Sequence, residues 1–166
     1  VTTSTSVVSG PVQEATLSED GRFAAFRSLA SNLVAGDTNT NVDLFIKDLQ
    51  SGVITRANTD SNGNQSIVGM QEGDGTTFDL TADGRYVAFA STAADLVAGD
   101  GSFFSDIFVK DRLTGITRIA SASSSGIFGN LHSDTPSISE DGRYVAFQSN
   151  STNLVSGDNN GTVDIF

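Results

Sequence analysis

Three short stretches of this chain place oxygen-bearing side chains at alternate positions, a spacing that suits a hard divalent cation. The first runs Asp37-Thr38-Asn39-Thr40-Asn41-Val42-Asp43 and presents Asp37, Asn39, Asn41 and Asp43. The third runs Asp158-Asn159-Asn160-Gly161-Thr162-Val163-Asp164 and presents Asp158, Asn160, Thr162 and Asp164. The second, Asp100-Gly101-Ser102-Phe103-Phe104-Ser105-Asp106, is poorer: Asp100, Ser102 and Asp106 remain, and Phe104 stands where a ligand would be. Ca²⁺ accepts about six to eight oxygens in adaptable geometry, whereas Mg²⁺ demands a strict octahedron and gives up water reluctantly. Calcium is therefore the expected cofactor, with the second loop its weakest site. Two other uses compete with it. The Asp and Asn side chains could simply bond turn backbone. Alternatively, Asp43, Asp106 and Asp164 could pair with an arginine of a neighbouring repeat, such as Arg56 or Arg118.

An EF-hand is excluded despite near-matching acids at Asp48 and Asp111. The required glycine is replaced by Val42, Ser105 and Val163, and Leu44-Phe45-Ile46 reads as strand. A strand carries Asp48 away at about 3.3 Å per residue. Catalytic signals are sparse. His132 is the only histidine and reads as a loop residue near the start of a repeat. No Gly-x-Ser-x-Gly elbow or Ser-His-Asp spacing is present. The expectation is a protein that is not an enzyme.

Composition narrows the partners. Twenty acidic residues against nine basic ones give a net charge of −11, with lysine only at Lys47 and Lys110. Phosphate backbones need clustered cations, so nucleic acid is not expected. There is no cysteine, and no apolar run approaches the ~20 residues of a spanning helix. The sequence opens at Val1 without a leader, as a mature product or an excised piece would. Its Ser, Thr, Asn, Gly and Asp content suggests an extracellular or periplasmic bacterial protein.

The acidic loops sit inside a repeat, and the repeat dictates what must position them. The block reads DGRFAAF…LVAGD…DLF from Asp20, DGRYVAF…LVAGD…DIF from Asp83 and DGRYVAF…LVSGD…DIF from Asp141. In each copy 17 residues separate the first Asp from that of the Gly-Asp pair, and 6 more lead to the last Asp. The copies recur after 63 and then 58 residues. Periods of this size mark stacked or ring-forming repeats. In the middle copy, strands are expected over Thr77–Leu80, Tyr86–Ala90, Ile107–Lys110 and Ile116–Ala120, with an Asp-Gly turn after the first. Gly21, Gly84 and Gly142 supply the positive φ of that turn, and the preceding Asp bonds its backbone. Four antiparallel strands, apolar on both faces in the middle, describe a propeller blade sandwiched between neighbours. The expected fold is all-β: a β-propeller of three four-stranded blades, forming a partial ring or half of a six-bladed one.

The whole chain, 1–166, then reads as one propeller segment. Residues 1–10 match a fourth strand and would complete a blade; 11–60, 61–123 and 124–166 form three blades, the last incomplete. The connection from Asn58 to Thr76 is about five residues longer than its counterpart and carries Asn62, Asn64, Met70, Gln71, Glu72 and Asp74. Departures from a repeat are a usual place for binding function.

The segments Leu17-Ser18-Glu19-Asp20-Gly21-Arg22, Ile138 to Phe147, and Asp106-Ile107-Phe108-Val109-Lys110-Asp111 resemble TolB-type β-propeller repeats. That family combines a Ser-x-Asp-Gly-(Lys/Arg) turn, an apolar strand and Asp-Ile-(Tyr/Phe)-Val-x-Asp. The resemblance spans nearly all of the chain. It departs in the longer loop Asn32–Asn41 and its counterparts, and in the absence of a proline before Asp-Gly. It implies the fold directly. For function it implies a scaffold or binding domain; the loop residues add calcium to that expectation, and whether the partner is a protein or a glycan stays open. The alternative is an accessory propeller of a secreted hydrolase whose catalytic residues lie elsewhere. Two three-bladed copies would complete a ring by self-association.

Overall fold

The computed structural model describes residues 9–70 and 77–166, and among them every regular element is a strand. The first sheet is a meander of β1 (Val12–Leu17), β2 (Phe23–Ser28), β3 (Asp43–Asp48) and β4 (Ile54–Arg56). The second repeats it with β5 (Phe78–Leu80), β6 (Tyr86–Ser91), β7 (Asp106–Asp111) and β8 (Thr117–Ile119). The third contains β9 (Ser133–Ile138), β10 (Val145–Ser149) and β11 (Asp164–Ile165), so it has three strands rather than four. All pairings are antiparallel, and Ser28↔Asp43, Ser91↔Asp106 and Ser149↔Asp164 hold one register in all three sheets. Each loop of interest therefore delivers its last carboxylate to the first residue of a third strand. The expected N-terminal strand falls largely on residues 1–8, outside the described residues.

The central strands are apolar on both faces, and the second sheet is covered on both sides, by the first and by the third. Leu44 and Ile46 of β3 pack with Phe78, Leu80, Val87, Phe89 and Phe108 in one cluster between the first two sheets. Ala90 and Ile107 pack with Phe147 and Leu154 between the second and third. Within each sheet a phenylalanine of the second strand stacks on one in or just after the third: Phe26–Phe45, Phe89–Phe108 and Phe147–Phe166, at 5.8, 5.7 and 5.9 Å.

The Asp-Gly turns have a second cause besides backbone conformation. Gly84 has φ +65°, and an added Cβ would lie 2.3 Å from Cδ2 of Phe23 in the preceding sheet. Gly142 has φ +71°, and its Cβ would meet Tyr86 Cδ2 at 2.4 Å. In the first two sheets the aromatic residue opening the second strand thus rests on the glycine of the next sheet. Inside the turns, Ser18, Thr81 and Ser139 donate their hydroxyls to Asp20, Asp83 and Asp141. The same Asp Oδ1 accepts the N–H of Arg22, Arg85 or Arg143. These hydrogen bonds hold the carboxyls below their ordinary range.

Lys110 and Glu14 carry hydrogen bonds between the first two sheets. Lys110 of β7 is buried, and its Nζ donates to the carbonyls of Thr59, Asp60 and Gly115 and to Thr117 Oγ1. Burial pushes its amine below the ordinary lysine range. Glu14 reaches across to Thr77, accepting its N–H at 3.2 Å and its hydroxyl at 2.9 Å. Glu14 sits at a bulge in β1 with φ 39°, and Thr135 marks the matching bulge in β9 with φ 50°. In the second sheet, Met70 bridges Ser91 and ladder pairing resumes at Phe78↔Phe89. Gln71, Glu72 and Asp74 lie outside the described residues.

Candidate functional site

The three acidic loops share a scaffold and differ in what faces the carboxylates. In the first, Asp43 is fully buried at the head of β3. Asn58, just past β4, donates Nδ2 to Asp43 Oδ1 at 2.6 Å and accepts the N–H of Leu44. Arg56 of β4 donates to Asp43 Oδ2 at 3.3 Å and lies 3.9 Å from Asp37 Oδ1. Its guanidinium also bonds Gln65. The arginine pairing considered for Asp43 is thus present, but with a correction: Arg56 comes from the same sheet, because β3–β4 pairing sets Phe45 opposite Arg56. Burial pushes the Asp43 carboxyl up, opposed by the Asn58 hydrogen bond and by Arg56.

The two asparagines of this loop act as donors. Asn39 Nδ2 bonds Asp43 Oδ1 and the Ser66 carbonyl, while its Oδ1 accepts the N–H of Asn41 at 3.0 Å. Asn41 Nδ2 bonds the carbonyl of Ile67. The loop is therefore closed by amide-to-backbone bonds and one guanidinium joining Asp37 to Asp43.

In the second sheet the position of Arg56 is held by Ile119, opposite Phe108, and that of Asn58 by Ser121. Ser121 donates its hydroxyl to Asp106 Oδ1 at 2.6 Å. Ser102 joins the two acids, its N–H bonding Asp100 Oδ1 at 3.2 Å and its hydroxyl Asp106 Oδ2 at 3.1 Å. Both carboxylates are buried. Among the described residues neither forms a salt bridge with Arg or Lys. Burial raises both carboxyls, and Asp100 raises Asp106 further. Phe104 turns aside, edge-on to the His132 ring at 5.0 Å. His132 Nδ1 accepts the N–H of Ser105 at 3.0 Å, so the lone histidine pins this loop to the third sheet.

In the third sheet Asn160 Nδ2 donates to Asp164 Oδ2 at 2.8 Å, and Asn160 Oδ1 accepts the N–H of Thr162. Asp158 and Asp164 are half-buried, while Asn160 and Thr162 are exposed. Among the described residues no three His, Cys, Asp or Glu side chains gather as a metal-holding group. Any cation here would draw on two carboxylates, with hydroxyl, amide and carbonyl oxygens completing its shell.

Sequence reasoning missed the floor of these sites. Asn58 and Ser121 each lie 15 residues after the buried Asp, and that equal spacing could have revealed them. It also missed the partners of Asp48 and Asp111. Arg22 bonds Asp48 at 2.8 Å, and Arg85 grips Asp111 with two bonds of 3.1 and 2.9 Å; both acids also cap the following turn. The interval from arginine to aspartate is 26 residues in both copies. Both acids are held well below the usual carboxylate range, first by the arginine hydrogen bond.

No protein-family model matches the sequence, and no curated protein matches it. Solved structures do. The tricorn protease aligns over 85% of this chain and 11% of its own, with a TM-score of 0.53 and 17% identity. The β-propeller domain of the Trilobed protease from Pyrococcus furiosus aligns over 84% of this chain and 34% of its own, at 0.49 and 13%. TolB from Acinetobacter baumannii covers 94% of this chain and 43% of its own, at 0.33 and 16%. The chain thus spans about a ninth of the tricorn protease. Together with three consecutive antiparallel sheets, the first likeness establishes partial β-propeller blades.

Proposed function

We propose that this chain is a non-enzymatic segment of an extracellular or periplasmic propeller of TolB-type repeats, a scaffold or binding domain whose middle blade is stabilised by calcium. The observation that carries the reading is the exchange of Arg56 for Ile119. The first loop contains its own cation. The second buries Asp100 and Asp106 with hydroxyls and an N–H bonded to them, no Arg or Lys salt bridge among the described residues, and His132 as the one cationic influence on Asp106; a buried charge without a paired cation is expensive. Calcium would be held by these two carboxylates with Ser102 and Ser121. Charge thereby reverses the ranking expected from ligand count. The third loop, with Asp158, Asn160, Thr162 and Asp164 more open to water, takes the ion more weakly.

A thermal melt in excess calcium and in chelator tests this. A ligand at a hundred times its Kd stabilises by about 2.7 kcal/mol, a rise of roughly 8 °C for a chain of this size. Ile119→Arg, which imports the guanidinium of the first blade, should remove most of the response and leave the smaller part due to the third loop. A midpoint indifferent to calcium in the unaltered chain sinks the proposal.

The second reading is an accessory propeller of a secreted hydrolase, favoured by the likeness to a small part of the tricorn protease. Deleting this segment from its parent and assaying hydrolysis decides it: activity retained in full argues against it.

A further inference from the structure

The lone histidine and the aromatic residue beside it in the second loop stand at the seam between the second and third sheets. Ser105, between Phe104 and Asp106, is fully buried and directs both backbone groups across that seam. Its N–H donates to His132 Nδ1 at 3.0 Å, and its carbonyl accepts the Ser133 N–H at 2.7 Å. Its hydroxyl has no hydrogen-bond partner among the described residues, so the backbone makes the anchoring bonds. The Phe104 ring meets that of His132 edge-on at 5.0 Å. His132 is itself fixed by the third sheet, its carbonyl accepting the Asn150 N–H at 3.0 Å and the Ser149 hydroxyl at 3.1 Å.

The seam between the first two sheets keeps the backbone bond and lacks this latch. Val42 is the counterpart of Ser105, and its carbonyl accepts the Met70 N–H at 2.7 Å. Gly69 holds the place of His132, each lying 27 residues after its partner in the loop. A Cβ added at Gly69 would lie 2.5 Å from the Val42 carbonyl oxygen and 2.6 Å from Asn41 Cβ, so a side chain there would force the backbone apart. Asn41, the counterpart of Phe104, bonds the Ile67 carbonyl instead. The loop without a guanidinium of its own is thus the one that a side chain of the next sheet holds in place.

We propose that His132 is a positioning residue for the calcium site of the second loop, and that the bound ion fastens the second sheet to the third. The inference rests on the reading of Asp100 and Asp106 as calcium ligands. The latched residues, Phe104 and Ser105, lie between the ligands Ser102 and Asp106. Holding them lowers the ordering entropy left for the ion to overcome. Without the ion, two buried like charges on one short loop repel each other and favour a looser loop. Binding and latching are therefore linked, and linkage is reciprocal: the factor by which the closed latch raises calcium affinity is the factor by which calcium favours the closed latch. The first seam lacks this coupling, because Arg56 already joins its acids and Gly69 offers no side chain.

Amide exchange followed by NMR on the 166-residue chain reads the two seams separately. The Ser133 N–H reports the second seam and the Met70 N–H the first. Saturating calcium is expected to raise the ratio of Ser133 to Met70 protection about tenfold. Stabilisation of the whole fold acts on both amides and cancels in that ratio. His132→Ala should weaken the tighter calcium-binding event about tenfold in calorimetric titration and abolish the change in ratio. A residue that merely supported the fold would lower Ser133 protection equally with and without calcium. His132→Asn, whose side-chain carbonyl can accept the Ser105 N–H, should recover most of both effects. Calcium bound by the unaltered chain with an unchanged ratio overturns the proposal and leaves the calcium site standing, as does undiminished affinity in a folded His132→Ala variant. Absence of calcium binding overturns both.

Discussion

The first and second blades carry almost the same central strands, Phe23-Ala24-Ala25-Phe26-Arg27-Ser28 beside Tyr86-Val87-Ala88-Phe89-Ala90-Ser91, and Asp43 to Asp48 beside Asp106 to Asp111. At the mouth of the loop they diverge. The first blade joins Asp37 and Asp43 through Arg56. The second keeps both acids, replaces the arginine with Ile119 and gives that side chain to the apolar cluster between the first two sheets. A repeat can thus conserve the shape of a site while reassigning its charge, and counting oxygen ligands along the sequence does not detect the reassignment. The glycine turns differ as well: Gly84 lies under Phe23, and Gly21 lies open.

The sharpest way to break the contrast is Arg56→Met, which turns the first loop into a copy of the second. Leaving Asp37 and Asp43 buried without a cation is expected to destabilise the fold by about 3 kcal/mol, roughly 9 °C by calorimetry, and to create a calcium response in this blade. If the melt is unmoved, Arg56 is not the counter-ion. Next comes the pair Gly84→Ala and Gly21→Ala. Both force a side chain to adopt positive φ, at about 1 kcal/mol, but only Gly84 also drives a Cβ into Phe23, bringing its total to about 3 kcal/mol. Equal losses in urea unfolding would refute the packing account of the turn.

A smaller effect of opposite sign is expected at Asp106→Asn. Removing one of two unpaired buried carboxylates in calcium-free buffer should stabilise by about 1 kcal/mol at pH 7. Asp100 and Asp106 are raised in the folded state, so folding favours their protonated forms. The penalty is present at neutral pH and disappears as pH falls through the raised values toward the unfolded value of about 4. The advantage of the Asn variant over the unaltered chain should therefore shrink between pH 7 and pH 4. Asp48 and Asp111 move in the other direction, losing stability as pH falls, but they are common to both proteins and cancel. Smallest of all is Arg22→Ala, at an exposed pair. It should leave the melting midpoint within the error of the measurement.

The architecture was legible because the block recurs with fixed internal intervals, and Asp-Gly turns and two-faced apolar strands leave few alternatives to a blade. The loops were legible as acidic clusters for the same reason. Their partners were not. Arg56, Asn58 and Ser121 come to the carboxylates through the register of the third and fourth strands, which places residues 13 to 15 positions apart at one point. Contacts between blades were hidden more deeply still. Nothing in Tyr86 or Gly142 alone says that an aromatic ring of one repeat rests on the turn of the next.

Lys110 gives the seam between the first two blades a chemical clock. Its amine is enclosed by three carbonyls and a hydroxyl, so an acylating reagent can reach it only when the blades part. The one other lysine, Lys47, is only half-buried and acts as an internal reference in the same spectrum. The ratio of labelling at Lys110 to that at Lys47, followed over time by mass spectrometry, reads how often the ring segment opens without unfolding.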